Sequence, residues 1–103
     1  MKGTEKQINW AKEIISNPVK AMEQYIEWAK TFAPEHVAPV TKAIDSYNAM
    51  IAKGGAHADD AAFIIDHRVR FSSAAKKILT KEFTDAGIHP CCPVMNISDM
   101  FKY

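Results

Sequence analysis

Three soft donors crowd the end of this 103-residue sequence, His89, Cys91 and Cys92 in the stretch HPCCP. A structural zinc ion takes four ligands, and paired ligands normally stand at least two residues apart so that both can reach it. Adjacent cysteines lack that spacing, and Asp85 or a remote histidine would have to complete the shell. The thiols therefore read as packed or idle, and neither metal nor cofactor is expected. Nucleophilic chemistry at either cysteine, with His89 as base, would call for an oxyanion loop and an orienting acid. The sequence beside them supplies neither. The stretch DDAAFIIDHRVR sets Asp59 seven positions before Asp66, and Asp60 seven before His67. Helical ligands share an ion across three or four positions, not seven, so the aspartates read as caps and solvated groups and His67 as a surface residue. His36 and His57 fall at helix ends without a companion ligand nearby. The chain is expected not to be an enzyme.

Binding chemistry has two candidates. Arg68, Arg70, Lys76, Lys77 and Lys81 fall within fourteen positions around Phe71. Each phosphate neutralised by such a patch contributes a salt-dependent increment to affinity, so Arg68, Arg70, Lys76 and Lys77 form a candidate nucleic-acid surface. The segment RVRFSSAAKK nevertheless follows no recognition-helix pattern. A formal net charge of +1 leaves no whole-molecule field to attract a polyanion, so any such binding is local. The second candidate is aromatic: Tyr25, Trp28 and Phe32 recur at helical spacing.

The elements that position these groups read as helices. Thr4 with Gln7 three positions on forms a capping box, followed by a broad apolar face of Ile8, Ala11, Ile14 and Ile15 with Trp10 at its edge. Asn17-Pro18 predicts the end of this helix and the start of a second, since asparagine caps well and proline suits the first helical position. In the second helix, running to about Phe32, Val19, Met22, Ile26 and Ala29 form one stripe and Ala21, Tyr25, Trp28 and Phe32 another. Together they cover about half the circumference, where one packing neighbour needs ~100°. Such a helix is either central or shows its aromatics to a partner.

Pro34 and Pro39 bracket a connection or short extra turn. Val37, Val40, Ile44, Tyr47 and Ile51 then form a packing seam widened by Ala43 and Met50, and Gly54-Gly55 closes that helix. Asp59 or Asp60 caps a fourth helix carrying Ala62, Ile65 and Val69. Ser72-Ser73 offers a cap for a fifth with Ala75, Ile78, Leu79 and Phe83, unless one helix runs through Phe71. Gly87-Ile88 predicts a Schellman stop, and residues 88–103, with two prolines and no settled period, read as a loop with at most one short turn or strand.

The expected architecture is all-α, a single compact domain over 1–103 of four to five helices with an irregular C-terminal tail, its centre formed by the second and third helices. A composition 48% hydrophobic and 24% charged is globular. A chain of this length leaves roughly a third of its unfolded-state surface exposed, so a partner or self-association would add appreciable stability. The longest apolar run, residues 61–65, is far below the ~20 needed to span a bilayer, and no secretory layout opens the chain. Adjacent cysteines cannot staple distant segments. No membrane partner and a reducing, cytoplasmic setting are therefore expected.

The opening TEKQINWAKEI, through Thr4, Glu5, Lys6, Gln7, Ile8, Trp10 and Ala11, resembles a segment of small proteins of bacterial phages and other mobile elements. The likeness covers about eleven residues. It implies a setting in which small proteins occupy the surface of a host or defence protein, CRISPR nucleases included, or bind DNA. The expected function is a non-catalytic inhibitor seated on a protein partner through Tyr25, Trp28 and Phe32, with nucleic-acid binding through the basic patch as the alternative.

Overall fold

In the computed structural model, which describes residues 2–53 and 60–101, Thr4 and Gln7 close the capping box. Thr4 Oγ1 accepts from the Gln7 N–H at 3.2 Å, and Gln7 Oε1 accepts from the Thr4 N–H at 3.0 Å. The helix they start, α1 (Glu5–Phe32), passes through Asn17-Pro18 without ending, so the expected first and second helices are one. An interior proline withholds an N–H from the carbonyl four residues earlier and costs about 3 kcal/mol. Packing offsets that cost, because Ile14, Pro18 and Met22, one turn apart, are all buried. The Tyr47 hydroxyl also donates to the Ile15 carbonyl at 2.7 Å, next to the carbonyl that Pro18 leaves without its helical donor.

A single 3-10 turn, Pro34–His36, leads into α2 (Val37–Ala52). Pro39 falls in the first turn of α2, where a missing N–H breaks no helical bond. The seam behaves as its spacing predicts: Val40, Ala43 and Tyr47 are buried, and Val37, Ile44, Met50 and Ile51 pack half-buried around them. The Gly54-Gly55 stop, together with His57 and Asp59, lies outside the described residues.

Asp60 caps α3 (Ala61–Asp66), its Oδ1 accepting from the Ala62 and Phe63 N–H groups. The Lys2 carbonyl accepts from the Ala61 N–H at 2.9 Å, which fastens the N-terminal strap to this helix. That approach needs Gly3, whose φ of +137° disfavours any side chain and where a Cβ would lie 2.9 Å from Ala61 Cβ. The buried face of α3 is one residue out of phase with the expected one. Ala61 and Ile64 are buried against Ala11 and Ile14, whereas Ala62 is exposed and Val69 is 63% exposed.

The chain breaks at His67, not at Ser72-Ser73, and α4 (Arg68–Asp85) carries both serines in its interior. Its buried face is Phe71, Ala75, Leu79 and Phe83. Gly87 (φ +76°) ends it in a Schellman motif, with Gly87 N–H donating to the Thr84 carbonyl and Ile88 N–H to the Phe83 carbonyl. The tail is more ordered than its prolines suggest: Cys91–Ser98 is a helix, α5, flanked by non-helical residues. Pro90 sits at its N-cap and Pro93 in its first turn, positions where proline costs no helical hydrogen bond, while Pro93, Val94 and Ile97 supply the buried side.

The result is an all-α bundle of five helices with a short irregular tail, and no strand among the described residues. At about 1.5 Å per residue α1 is about 42 Å long, which equals the longest dimension of the molecule, 42 × 21 × 18 Å. It contacts every other element. Its first half packs with α3 and the start of α4 around Ile14, Ile64 and Phe71, and its second half with α2, α4 and α5 around Met22, Tyr47 and Leu79. Ile51 touches both clusters. No helix among the described residues is long and apolar enough to cross a membrane.

Candidate functional site

Near the C-terminal end of α1 the side chains at positions 25, 28 and 32 meet because three- and four-residue steps place them on one face. The Tyr25 and Trp28 ring centroids lie 5.3 Å apart and tilted by 42°, and those of Trp28 and Phe32 lie 5.4 Å apart at 27°. Trp28 is 47% and Phe32 69% exposed. Tyr25 is only 5% exposed, which corrects the expectation that all three share an exposed surface. It forms the floor under Trp28, on which Phe32 in turn stacks.

That floor is held firmly. His36, at the end of the 3-10 turn, stacks on Tyr25 at 8° between planes and sets its edge toward Phe83, 5.3 Å away. With the imidazole proton on Nε2, which lies 3.9 Å from Glu35 Oε1, Nδ1 accepts from the Tyr25 hydroxyl at 2.7 Å. Burial, and then the Glu35 carboxylate, raise the Tyr25 pKa above its ordinary value and keep the hydroxyl protonated as a donor. His36, placed by the sequence at a helix end without a partner ligand, thus has a structural partner in Tyr25.

Opposite the ring ladder stands the tail. Gln24, Tyr25 and Trp28 from α1 face Asn96 of α5 and Met100 beyond it across a groove of about 370 Å³. Met100 also lines the neighbouring depression beside Asn17 and Lys20, so the tail runs antiparallel to α1. Asn96 and Met100 were not expected at any site, since a tail read as loop has no wall to offer. The spacing of Val94, Ile97 and Phe101 was the available signal. The groove joins apolar ring and thioether surface to two amide groups, a lining suited to contact and hydrogen bonding.

The basic residues stand on α4, Arg68 and Arg70 at its start beside Trp10 and Phe63, and Lys76 and Lys77 farther along it. Arg68, Arg70, Lys76 and Lys77 are all exposed, yet they do not form one patch. Arg68 turns back, its guanidinium 5.8 Å from the Trp10 ring and donating to the Ile65 carbonyl. Arg70 lies 5.8 Å from the Phe63 ring and shares a shallow groove with Val69, Ser73, Ala74 and Lys77. Lys76 is a residue, and about 100°, away from Lys77 around the helix.

His89 and the two thiols remain separate from both surfaces' chemistry. Nδ1 of His89 accepts from the Cys91 N–H at 3.3 Å, and Cys91 and Cys92 are exposed. His67 stacks on Phe63 at 4.1 Å between centroids, with its Nδ1 3.0 Å from the Phe63 carbonyl. Among the described residues no three His, Cys, Asp or Glu side chains gather around a position a metal ion could take. No family model, curated protein or solved structure matches the chain.

Proposed function

We propose that this chain is a non-catalytic interaction module that acts sterically, seating the groove between α1 and the tail on the surface of a protein partner. The observation that carries the reading is the pair of exposed rings, Trp28 packed on the buried, His36-bonded Tyr25 and Phe32 stacked on Trp28. Ring surface presented on a rigid base loses little side-chain entropy when it docks, and tryptophan is enriched among residues that dominate binding energies. Met100, 37% exposed on the facing wall, extends the apolar area, and Gln24 and Asn96 supply amide groups at its edge. The resemblance of TEKQINWAKEI to phage and mobile-element proteins supplies a setting for such a module. The partner would then be a host or defence protein, a CRISPR nuclease among them.

The test is a phage-interference assay in bacteria armed with a CRISPR nuclease. Expression of the chain is expected to restore plaque formation, and expression of the Trp28→Ser, Phe32→Ser variant at equal abundance is expected not to. Unrestored plaques would remove the defence-inhibitor reading, and full activity of the double variant would remove the groove from it.

A further inference from the structure

The basic surface of α4 is independent of the aromatic groove in both position and chemistry. Between residues 67 and 81 the chain has five Lys or Arg side chains and no carboxylate, while Asp66 precedes the stretch and Glu82 and Asp85 follow it. At 100° per residue Arg70, Lys77 and Lys81 fall within about 40° of one another on the side of α4 opposite Phe71, Ala75, Leu79 and Phe83. No ion pair of the described residues engages these three cations. They form a straight ridge of about 16 Å, enough for about three to five nucleotides of one strand. The small side chains of Ser73 and Ala74 leave a channel between Arg70 and Lys77, about 410 Å³ in volume.

What lies around the N-terminal end of α4 decides the kind of polyanion. There five planar groups stand in two sets: the Arg68 guanidinium over the Trp10 indole, and the Arg70 guanidinium and the His67 ring against Phe63. Trp10 is 41% exposed and His67 is exposed. Single-strand binders combine such a cationic track with rings on which unpaired bases stack, whatever the base. An acidic peptide would use the cations and leave the rings idle, and a duplex keeps its base faces closed.

We propose that the outward face of α4, through Arg70, Lys77 and Lys81, together with Trp10 and His67 at its N-terminal end, is a binding surface for single-stranded nucleic acid. The cations follow the backbone, and the rings take bases splayed from it. The residue set differs from the patch the sequence suggested: Lys81 joins it, Lys76 stands to one side, and Arg68 stands over Trp10, which stays 41% exposed.

Fluorescence anisotropy with a labelled fifteen-residue oligothymidylate tests this on the full chain. The wild type is expected to bind with an affinity that falls steeply with salt. Arg70→Gln, Lys77→Gln, Lys81→Gln, three changes at exposed positions, are expected together to weaken binding at least about tenfold at low salt. They should also flatten the log–log salt slope by about 2, at ~0.7 for each phosphate no longer neutralised. Trp10→Leu is expected to weaken binding with the slope unchanged, since stacking carries no charge, and circular dichroism melts verify that both variants fold. Absence of binding at low salt, or equal binding by the triple variant, would overturn the proposal. So would polyglutamate competing as well as the oligonucleotide, which would assign the ridge to an acidic protein. A duplex competing equally, or an unaffected Trp10→Leu, would overturn it by removing the rings from the surface.

Discussion

Tyr47 shows what a single residue contributes here. Its ring is fully buried between α1, α2 and α4, and its hydroxyl reaches the Ile15 carbonyl 32 positions away. Burial raises its pKa far above the ordinary tyrosine value of 10, and burial with Glu35 raises that of Tyr25. A raised tyrosine pKa means that the folded state retains a proton the unfolded chain releases above pH 10. The stability this provides is complete below pH 10 and is lost as pH climbs toward the folded-state value. Tyr47→Phe is therefore expected to cost about 1 kcal/mol near neutrality through the lost hydrogen bond and to flatten the alkaline fall in melting temperature. Melts from pH 8 to 11 read both effects. Local chemistry was legible at this scale, as the Thr4–Gln7 box and the Gly87 stop demonstrate, because their partners lie within five residues. The Tyr47–Ile15 and Tyr25–His36 bonds were not, since which residues meet across helices depends on how the helices pack.

Among the elements, α1 departs most from its sequence reading. Asn17-Pro18 carries good start-of-helix chemistry, and local preference loses there to burial on both sides of the proline. Two opposed terms decide what replacing Pro18 would do. Pro18→Ala returns about 3 kcal/mol of helix propensity and gives up two buried methylenes worth ~1.6 kcal/mol. A net gain on the order of 1 kcal/mol should raise the melting temperature by several degrees, and a decrease would show that the ring's packing outweighs the missing N–H. The tail carries the complementary lesson. Pro90 and Pro93 suggested a loop, yet proline at a cap or in a first turn is compatible with a helix, and Val94 and Ile97 bury its inner side. At His67 the break is set by α3 folding back onto Ala11 and Ile14, a tertiary demand with no punctuation in the sequence, whereas the serines tolerated in α4 do carry such punctuation.

For the whole molecule, α1 is the organising rod, and the two tryptophans sit about 27 Å apart along it. Trp10 lies beside Arg68 at the start of α4, and Trp28 with the groove against the tail. The aromatic half of the groove was legible as an apolar stripe too wide for one neighbour, and α1 proves both central and aromatic on its outer side. The other half was hidden, because Asn96 and Met100 enter only once the tail folds back. The central claim is that Trp28 serves binding more than folding, and one truncation read two ways tests it most directly. Trp28→Ala in the purified chain, assayed by thermal melt and by affinity for the protein partner proposed above, should keep nearly the wild-type melting temperature while binding weakens by ~2 kcal/mol, roughly thirtyfold. A loss of 3–5 kcal/mol in stability, the range for an aromatic ring removed from a core, with unchanged affinity of the folded protein, would contradict it.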